Sequence, residues 1–485
     1  MTMSNTVQKL HKDVVVVGGG TAGFVAAIAA ARNGADVLIV EEGDYLGGTF
    51  SVGVGALCSM THQPINTQYS EAFGSQETSY KEEQCVFGIA QELVDRMIEK
   101  GAALGERGKS TTRVPYDPEM VKWVIDQMVK DAGVDVLLYS KATGIVEDNK
   151  NTRKIIVDSL TERIEIEAKV IIDATGDGNV CVALGAEVEK GRSSDNAMQP
   201  LSLYYYIGGV QLEETLRYLE KNPDEFGKEY VNNIIRLRKE KKPITLLRFK
   251  SKTTEAVNNG DYPVAYGASR VYPDQMSIFR PIVKNGKIVY DVTSHNMDMG
   301  YYIDAANPFE LTKAIISMRD IAVKMSKYFR KYIPGYQDSY LMQTATRIGV
   351  RETRRIIGDY ILTGDDVLSG KTFDDAVGRY GGAVDIHDID EGAQPIVLTE
   401  IGGSGWFHIP YRILLPKGID NLLVAGRCAS SDHEAQGSFR GCPGCMVTGQ
   451  AAGTAAALAV KTGLKPRDID IAKLQKMLIS QNVLI

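Results

Sequence analysis

The sequence predicts an α/β chain: a parallel sheet flanked by helices, assembled from both ends of the chain around a mixed α+β insertion. Three observations predict it. Residues 13–17, DVVVV, and 37–40, VLIV, are uninterrupted apolar runs of the kind found in strands buried on both faces. Two later runs, within KVIIDATGDGNV (169–180) and NLLVAGRCASSD (421–432), also end in small-residue turns. Between them the composition shifts toward tyrosine and charge, as in LYYYIGG, DYPVAYG and YYIDAANP.

The first run opens directly onto GGGTAG, with Gly18, Gly20 and Gly23 in G-x-G-x-x-G spacing. Gly18 suits the tight turn, Gly20 a close backbone approach to a pyrophosphate, and Gly23 close packing of the next helix on the strand. The helix that follows, FVAAIAAARNG, is alanine-rich and ends at Gly34, and Thr21 and Ala22 of the glycine turn are further cofactor-binding candidates. The helix N-terminus offers free amides and a positive partial charge to phosphates. The second run ends at Glu41 and Glu42, where a carboxylate can accept from ribose hydroxyls. Strand, glycine turn, helix and acid together make this a Rossmann-like dinucleotide site.

Three further features favour FAD over NAD. Gly47, Gly48 and Thr49 form a second glycine element where backbone would press against a cofactor. The strand near residue 170 runs into Ala174, Thr175, Gly176 and Asp177, and the one near residue 422 into Gly426 and Arg427. All these strand ends are expected to converge at the carboxyl edge of one sheet, where such sheets bind ligands. Residues 134–177 read as a strand, a two-stranded hairpin with the polar turn EDNKNTRK, and a return strand.

Composition excludes several classes. A net charge of -6, with 24% charged residues, leaves no nucleic-acid footprint, and RLRKEKK (236–242) reads as a solvated helix face. Six cysteines in 485 residues suit a reducing compartment, and no His/Cys group has metal-ligand spacing. The N-terminal stretch lacks an apolar leader core, and residues 446–460 are too short to span a membrane, so a cytoplasmic location is expected.

The set GGGTAG, LGGTF, IDATGDG, TRIGVRETRRIIGDYILT, DIH, FHIPYRILLPKGIDNLLVAGRCASSDHEA and GCMVTGQAAGTAAA resembles the FAD-dependent oxidoreductases of glutathione-reductase type. More distantly it resembles the fumarate reductase and succinate dehydrogenase flavoproteins. The resemblance covers the first 60 residues and nearly everything after 341. It implies a FAD-binding domain in two parts, 1–191 and 346–485, with a substrate domain at 192–345. It also implies that Ala142 meets the adenine. The C-terminal small-residue helix would point the amides of Gly444, Cys445 and Met446 at the pyrimidine end of the flavin, where reduction leaves negative charge. Arg427 is assigned to the cofactor and the sheet edge. TFSVGVGAL lacks the histidine to which the succinate dehydrogenase group attaches its flavin, so non-covalent FAD is expected. No second strand–glycine–helix unit appears in mid-chain, so the other half-reaction needs a separate redox protein, a quinone or oxygen.

Cys442 and Cys445 flank Pro-Gly. They read either as a dithiol beside the ring or as an ordinary helix start, with Pro for its fixed φ and Gly for close approach. The helix start is the reading adopted. Flavin chemistry needs substrate placement and one managed proton. The resemblance brings His387 and His433 to the substrate side of the ring as proton carriers. His62 is a further candidate, His11 and His295 are expected at the surface, and His408 in the core. Among the arginines of TRIGVRETRR, Arg351 is the candidate ligand for a substrate carboxylate or oxyanion, and Arg440 a second; the alternative pairs this group with Glu352 and Asp359. The expected function is hydride transfer between FAD and a small polar organic substrate, by oxidation of C–OH or C–N or reduction of an activated C=C. The rival is an electron-transfer subunit without a small substrate.

Overall fold

A computed structural model describes residues 8–53, 55–62, 83–111, 113–149, 152–246, 249–268, 279–387 and 397–485. The expected α/β architecture is present. Strand Gln8–Val17 is central in a parallel sheet, between Val37–Val40 and Arg163–Asp173, with Asp135–Leu137 beyond the former. Arg163–Asp173 is long enough to serve two neighbours on its far side. Its first half pairs with the antiparallel hairpin Lys141–Asn149 and Thr152–Asp158, and its last three residues pair with Leu422–Val424. The tip of that hairpin, residues 150 and 151, falls outside the described residues.

Register brings the turns together. Val17 lies opposite Val40 and Asp173, and Asp173 lies opposite Val424. Four strands far apart in sequence therefore end on one edge, as their apolar runs predicted.

The alanine-rich character of two helices has a packing cause. Helix Thr21–Arg32 crosses helix Cys442–Thr462 so closely that a Cβ on Gly449 or Gly453 would run into the carbonyl oxygens of Ala22 and Ala26. Residues 443–459 are buried on all sides, which explains an apolar helix without a polar stripe. Among the described residues no helix is long and apolar enough to cross a membrane.

The middle of the chain folds as a four-stranded antiparallel sheet, ordered Phe279–Lys284, Lys287–Gly300, Leu201–Gly208 and Tyr340–Thr344. Helices including Leu212–Lys221, Lys228–Lys239 and Pro308–Tyr332 pack behind it around Tyr205, Tyr328, Phe329 and Tyr336. His295, expected at the surface, is instead 1% exposed in this core. It stacks on Tyr205 with ring centroids 5.1 Å apart, and its Nε2 bonds the Thr293 hydroxyl at 2.8 Å. The reason is strand alternation: the polar neighbours of His295 occupy the opposite face of the sheet, which looks toward the carboxyl edge of the parallel sheet.

Candidate active site

A cavity of about 660 Å³ lies between the carboxyl edge of the parallel sheet and the antiparallel sheet. Its walls come from the turns the sequence singled out. Gly20, Thr21 and Ala22, Gly48 and Thr49, Ala174 to Asp177, and Gly426 and Arg427 all line it. Gly18 and Gly23 work behind the wall. Gly18 has φ +94°, and a Cβ there would lie 2.6 Å from Ala174 O; one on Gly23 would collide with Gly18 O. Gly20 differs from both, because a Cβ there would meet nothing within 4 Å. That empty volume, beside the N-terminus of a helix, is the cradle a pyrophosphate requires.

Other predicted positions have different tasks. Gly47 presses on the first turn rather than on a cofactor, its N–H donating to Gly19 O (2.8 Å) and its carbonyl accepting from Thr21 Oγ1 (3.1 Å). Glu41 is buried, its carboxylate accepting from the N–H groups of Gly19 (2.7 Å) and Gly43 (2.8 Å). Its neighbour Glu42 is on the wall and holds Arg347 at 2.6 Å. Ala142 is not a lining residue; it pairs with Val157 on the hairpin next to Lys141, whose Nζ is 3.8 Å from Glu42. Asp173 shapes the Ala174–Asp177 turn by accepting from Thr175 N, Thr175 Oγ1 and Cys181 N. Asp177 then pairs with Arg427 (2.6 Å) and Thr353 (2.7 Å), which overcome burial and keep its carboxyl below the usual range.

The family of the chain is decided by its match to the model of the FAD-dependent oxidoreductases, which covers residues 13–478. The chain belongs to that family. FAD is its cofactor, and the chain is an enzyme of the oxidoreductase class. Among curated relatives, a digeranylgeranylglycerophospholipid reductase of Methanosarcina mazei is 24% identical over 42% of this chain and 46% of its own. The NADH:fumarate oxidoreductase of Klebsiella pneumoniae is 31% identical over 34% of this chain and 20% of its own. The chain thus spans less than half the length of these relatives. A geranylgeranyl bacteriochlorophyll reductase-like structure from Thermoplasma acidophilum aligns over 98% of this chain and 84% of its own, with 14% identity and a TM-score of 0.42.

In this flavoprotein the C-terminal helix starts at Cys442, earlier than the expected start near Gly444. Cys445 N–H already donates to Gly441 O (2.9 Å), and Met446 is buried within the helix. The first-turn amides open to a ligand are therefore those of Cys442 and Gly444, Pro443 having none. Cys442 and Cys445 both line the cavity, yet burial pushes each thiol up to about 12, and both are free. Neither has the depressed pKa of a working redox thiol.

Of the four predicted chemical residues, three come together. His387, Arg351 and Arg440 line one end of the cavity with Asp385. His387 Nε2 is 3.2 Å from Asp385 Oδ1, while its Nδ1 is buried without a hydrogen-bond partner. Burial lowers the pKa of His387 despite Asp385, so the imidazole is neutral near pH 7. Burial would raise the Asp385 pKa, but His387, Arg440 and Arg351 hold it well below the usual carboxylate range. Arg351 donates to Pro200 O (2.7 Å), and Arg440 to Asp385 O (2.8 Å).

His433 is not brought to the cavity. It is 5% exposed, with Nδ1 3.0 Å from Glu352, in a buried cluster completed by Arg355. His62 lies beneath Gly405 rather than on the wall, His408 stacks on Trp406, and His11 is an exposed partner of Glu167. Asp359 pairs with Arg467, not with the TRIGVRETRR arginines. Sequence reasoning missed Arg113, Tyr204, Arg280 and Asn296, which line the cavity from four different strands. No local motif marks any of them.

Proposed function

We propose that this flavoprotein transfers hydride between FAD and a small polar organic acid, with residues 192–345 serving as the cap over the reacting centre. The observation that carries the reading is the cluster Arg351, Arg440, Asp385 and His387 on the wall of the same cavity as the Gly20 cradle. Bound FAD supplies the two-electron centre that exchanges hydride with a substrate carbon.

The chain's own residues supply the rest. Arg351 spends one N–H direction on Pro200 O and has others for a substrate carboxylate or oxyanion. Asp385 fixes the His387 ring through Nε2, leaving Nδ1 to take the proton of a C–OH or C–N centre during oxidation. In the reverse direction Nδ1 returns that proton to the carbon or heteroatom. The names of the relatives, two kinds of reductase, support reduction of a C=C; the arginine-rich wall favours a fumarate-like acid over a long prenyl chain.

The test is an anaerobic dithionite titration of the purified protein followed by visible absorbance, then addition of a small unsaturated carboxylic acid. Two electrons per flavin are expected, unchanged by Cys442→Ala, with re-oxidation by the acid. Absence of flavin bands sinks the reading. Uptake of four electrons, lost in Cys442→Ala, overturns the helix-start role of the cysteine pair.

A further inference from the structure

Six arginines and three carboxylates line the cavity. Toward the cofactor turns, Arg347 and Arg427 are matched by Glu42 and Asp177. Beside His387, Arg440 is matched in part by Asp385 at 3.4 Å. Arg113 and Arg280 have no carboxylate within 4.0 Å among the described residues.

These two come from separate elements. Arg280 lies on strand Phe279–Lys284 opposite Ser294, so it shares the cavity face of the antiparallel sheet with Asn296. Arg113 starts strand Arg113–Pro115, opposite Cys58. Its Nη1 makes one long bond, 3.4 Å, to Thr245 Oγ1. Arg280 Nε and Asn296 Oδ1 are both buried with no hydrogen-bond partner. Burial and then the Arg113 charge lower the Arg280 pKa to about 10, a sign of two cations held together without an anion. Tyr204, on the same cavity wall, feels the charges of both Arg351 and Arg280.

We infer that Arg113 and Arg280 form a second anion subsite, separate from Arg351 and Arg440, that grips a carboxylate or phosphate of the substrate. The inference rests on the reading of the cavity as a site for FAD and a substrate. It adds that the substrate is anionic at a position remote from the reacting carbon. Two neighbouring guanidinium groups recognise either oxyanion, and the one internal bond to displace is the long contact from Arg113 to Thr245.

The experiment uses the holoprotein, with flavin content read from its visible spectrum before any probe is added. Acetate and inorganic phosphate are titrated separately by calorimetry, for the wild type and for Arg280→Gln and Arg113→Gln. Phenylglyoxal labelling of the wild type, mapped by mass spectrometry, is run with and without each anion. At least tenfold weaker binding in Arg280→Gln, at unchanged flavin content, is expected, together with anion protection of Arg113 and Arg280. A response to acetate alone marks a carboxylate substrate; a response to phosphate alone marks a phosphate ester. Equal binding by wild type and variants overturns the inference, as does unprotected labelling of both arginines. Loss of flavin in Arg280→Gln in step with anion binding also overturns it, by assigning the pair to the cofactor. A wild-type protein that is colourless and takes up no FAD is a separate failure, that of the functional reading. Should Arg280→Gln fail to fold, Arg113→Gln and the wild-type labelling decide the matter.

Discussion

Gly20→Ala separates the binding of FAD from the stability of the fold. Gly20 has φ −66° and ψ −169°, which alanine adopts without strain, and an added Cβ would meet no protein atom within 4 Å. Reduced freedom of the unfolded chain stabilises such a variant by about 0.4–1 kcal/mol. Gly20 is also the N-cap of its helix, where alanine is poorer than glycine, by up to about 1 kcal/mol. The two nearly cancel, so the apoprotein should melt within about 1–2 °C of the wild type, given a transition entropy that scales with chain length. The methyl group instead occupies the space of the pyrophosphate. Forcing one carbon into a filled contact costs about 1–3 kcal/mol, which is roughly 5- to 150-fold in Kd. Gly23→Ala is the contrasting control: its Cβ collides with Gly18 O, so stability and flavin affinity should fall together. Fluorescence titration of apoprotein with FAD and thermal melts of both variants read the two effects independently. A Gly20→Ala protein that binds FAD as tightly as wild type would refute the placement of the phosphates. An apoprotein destabilised by several degrees would refute the claim that this glycine serves only the ligand.

Two further outcomes are expected. His387→Gln should slow oxidation or reduction of the flavin by a responding acid by about 10²–10⁴-fold; because burial lowers the His387 pKa, the limb it controls (the acid limb where it takes a proton, the basic limb where it gives one) should have its midpoint below pH 6.5 and vanish in the variant. Retention of that limb in His387→Gln would exclude His387 as the proton carrier. His295, pulled down to about 3 by burial, stays neutral in the fold while an unfolded His binds a proton below about 6.5. Its contribution is therefore present above pH 6.5 and is lost as pH falls, by roughly 2–3 kcal/mol between pH 6.5 and 4.5. Urea midpoints against pH should show that slope, reduced by one proton in His295→Phe; parallel slopes would show that His295 is already solvated.

The cofactor half of the cavity was legible because backbone-to-backbone approach leaves a mark on residue type. Gly18, Gly23, Gly449 and Gly453 are glycines since a Cβ at each would strike a particular backbone atom, and the spacing of such glycines survives in sequence. The buried parallel strands were legible for a related reason, since burial on both faces removes the alternation that makes other strands ambiguous. The far wall carries no such mark. Arg113, Tyr204 and Arg280 belong to segments paired only through tertiary contacts, and a lone arginine on a short strand looks like any solvated residue. His295 shows the same limit from the other side. Ser294 and Asn296 made its surroundings look polar, yet they lie on the sheet face opposite His295, with Asn296 lining the cavity and His295 facing the helices, so the alternation was real and its inward side was misassigned. His433 was expected at the ring because its segment resembles the family's; helix His433–Phe439 turns its first residue away from the cavity, toward Glu352.

One connection explains how a cavity built from so many segments keeps its two ends in register. Residues 345–352 run from the antiparallel sheet back toward the parallel one. Arg347 reaches Glu42 beside the cofactor turns, and Arg351, four residues later, reaches the substrate end. The segment is clamped along its length. Ala345 N–H donates to Tyr204 O (2.7 Å), and Gly349 and Ser202 exchange both backbone bonds at 2.8 and 3.0 Å. Beyond Arg351, Glu352 is a buried anchor: it accepts from Gln199 N (2.9 Å) and pairs with Arg355 and His433. His433 pairs with Glu352, the residue next to Arg351, and does not itself line the cavity. The same clamp ties Arg351 to the strand that carries Tyr204, which pairs with the strand of Asn296, which in turn pairs with that of Arg280, so backbone hydrogen bonds link the two arginine groups. On the proposed reading, a spacing set by the backbone selects substrate length, which charge alone would not.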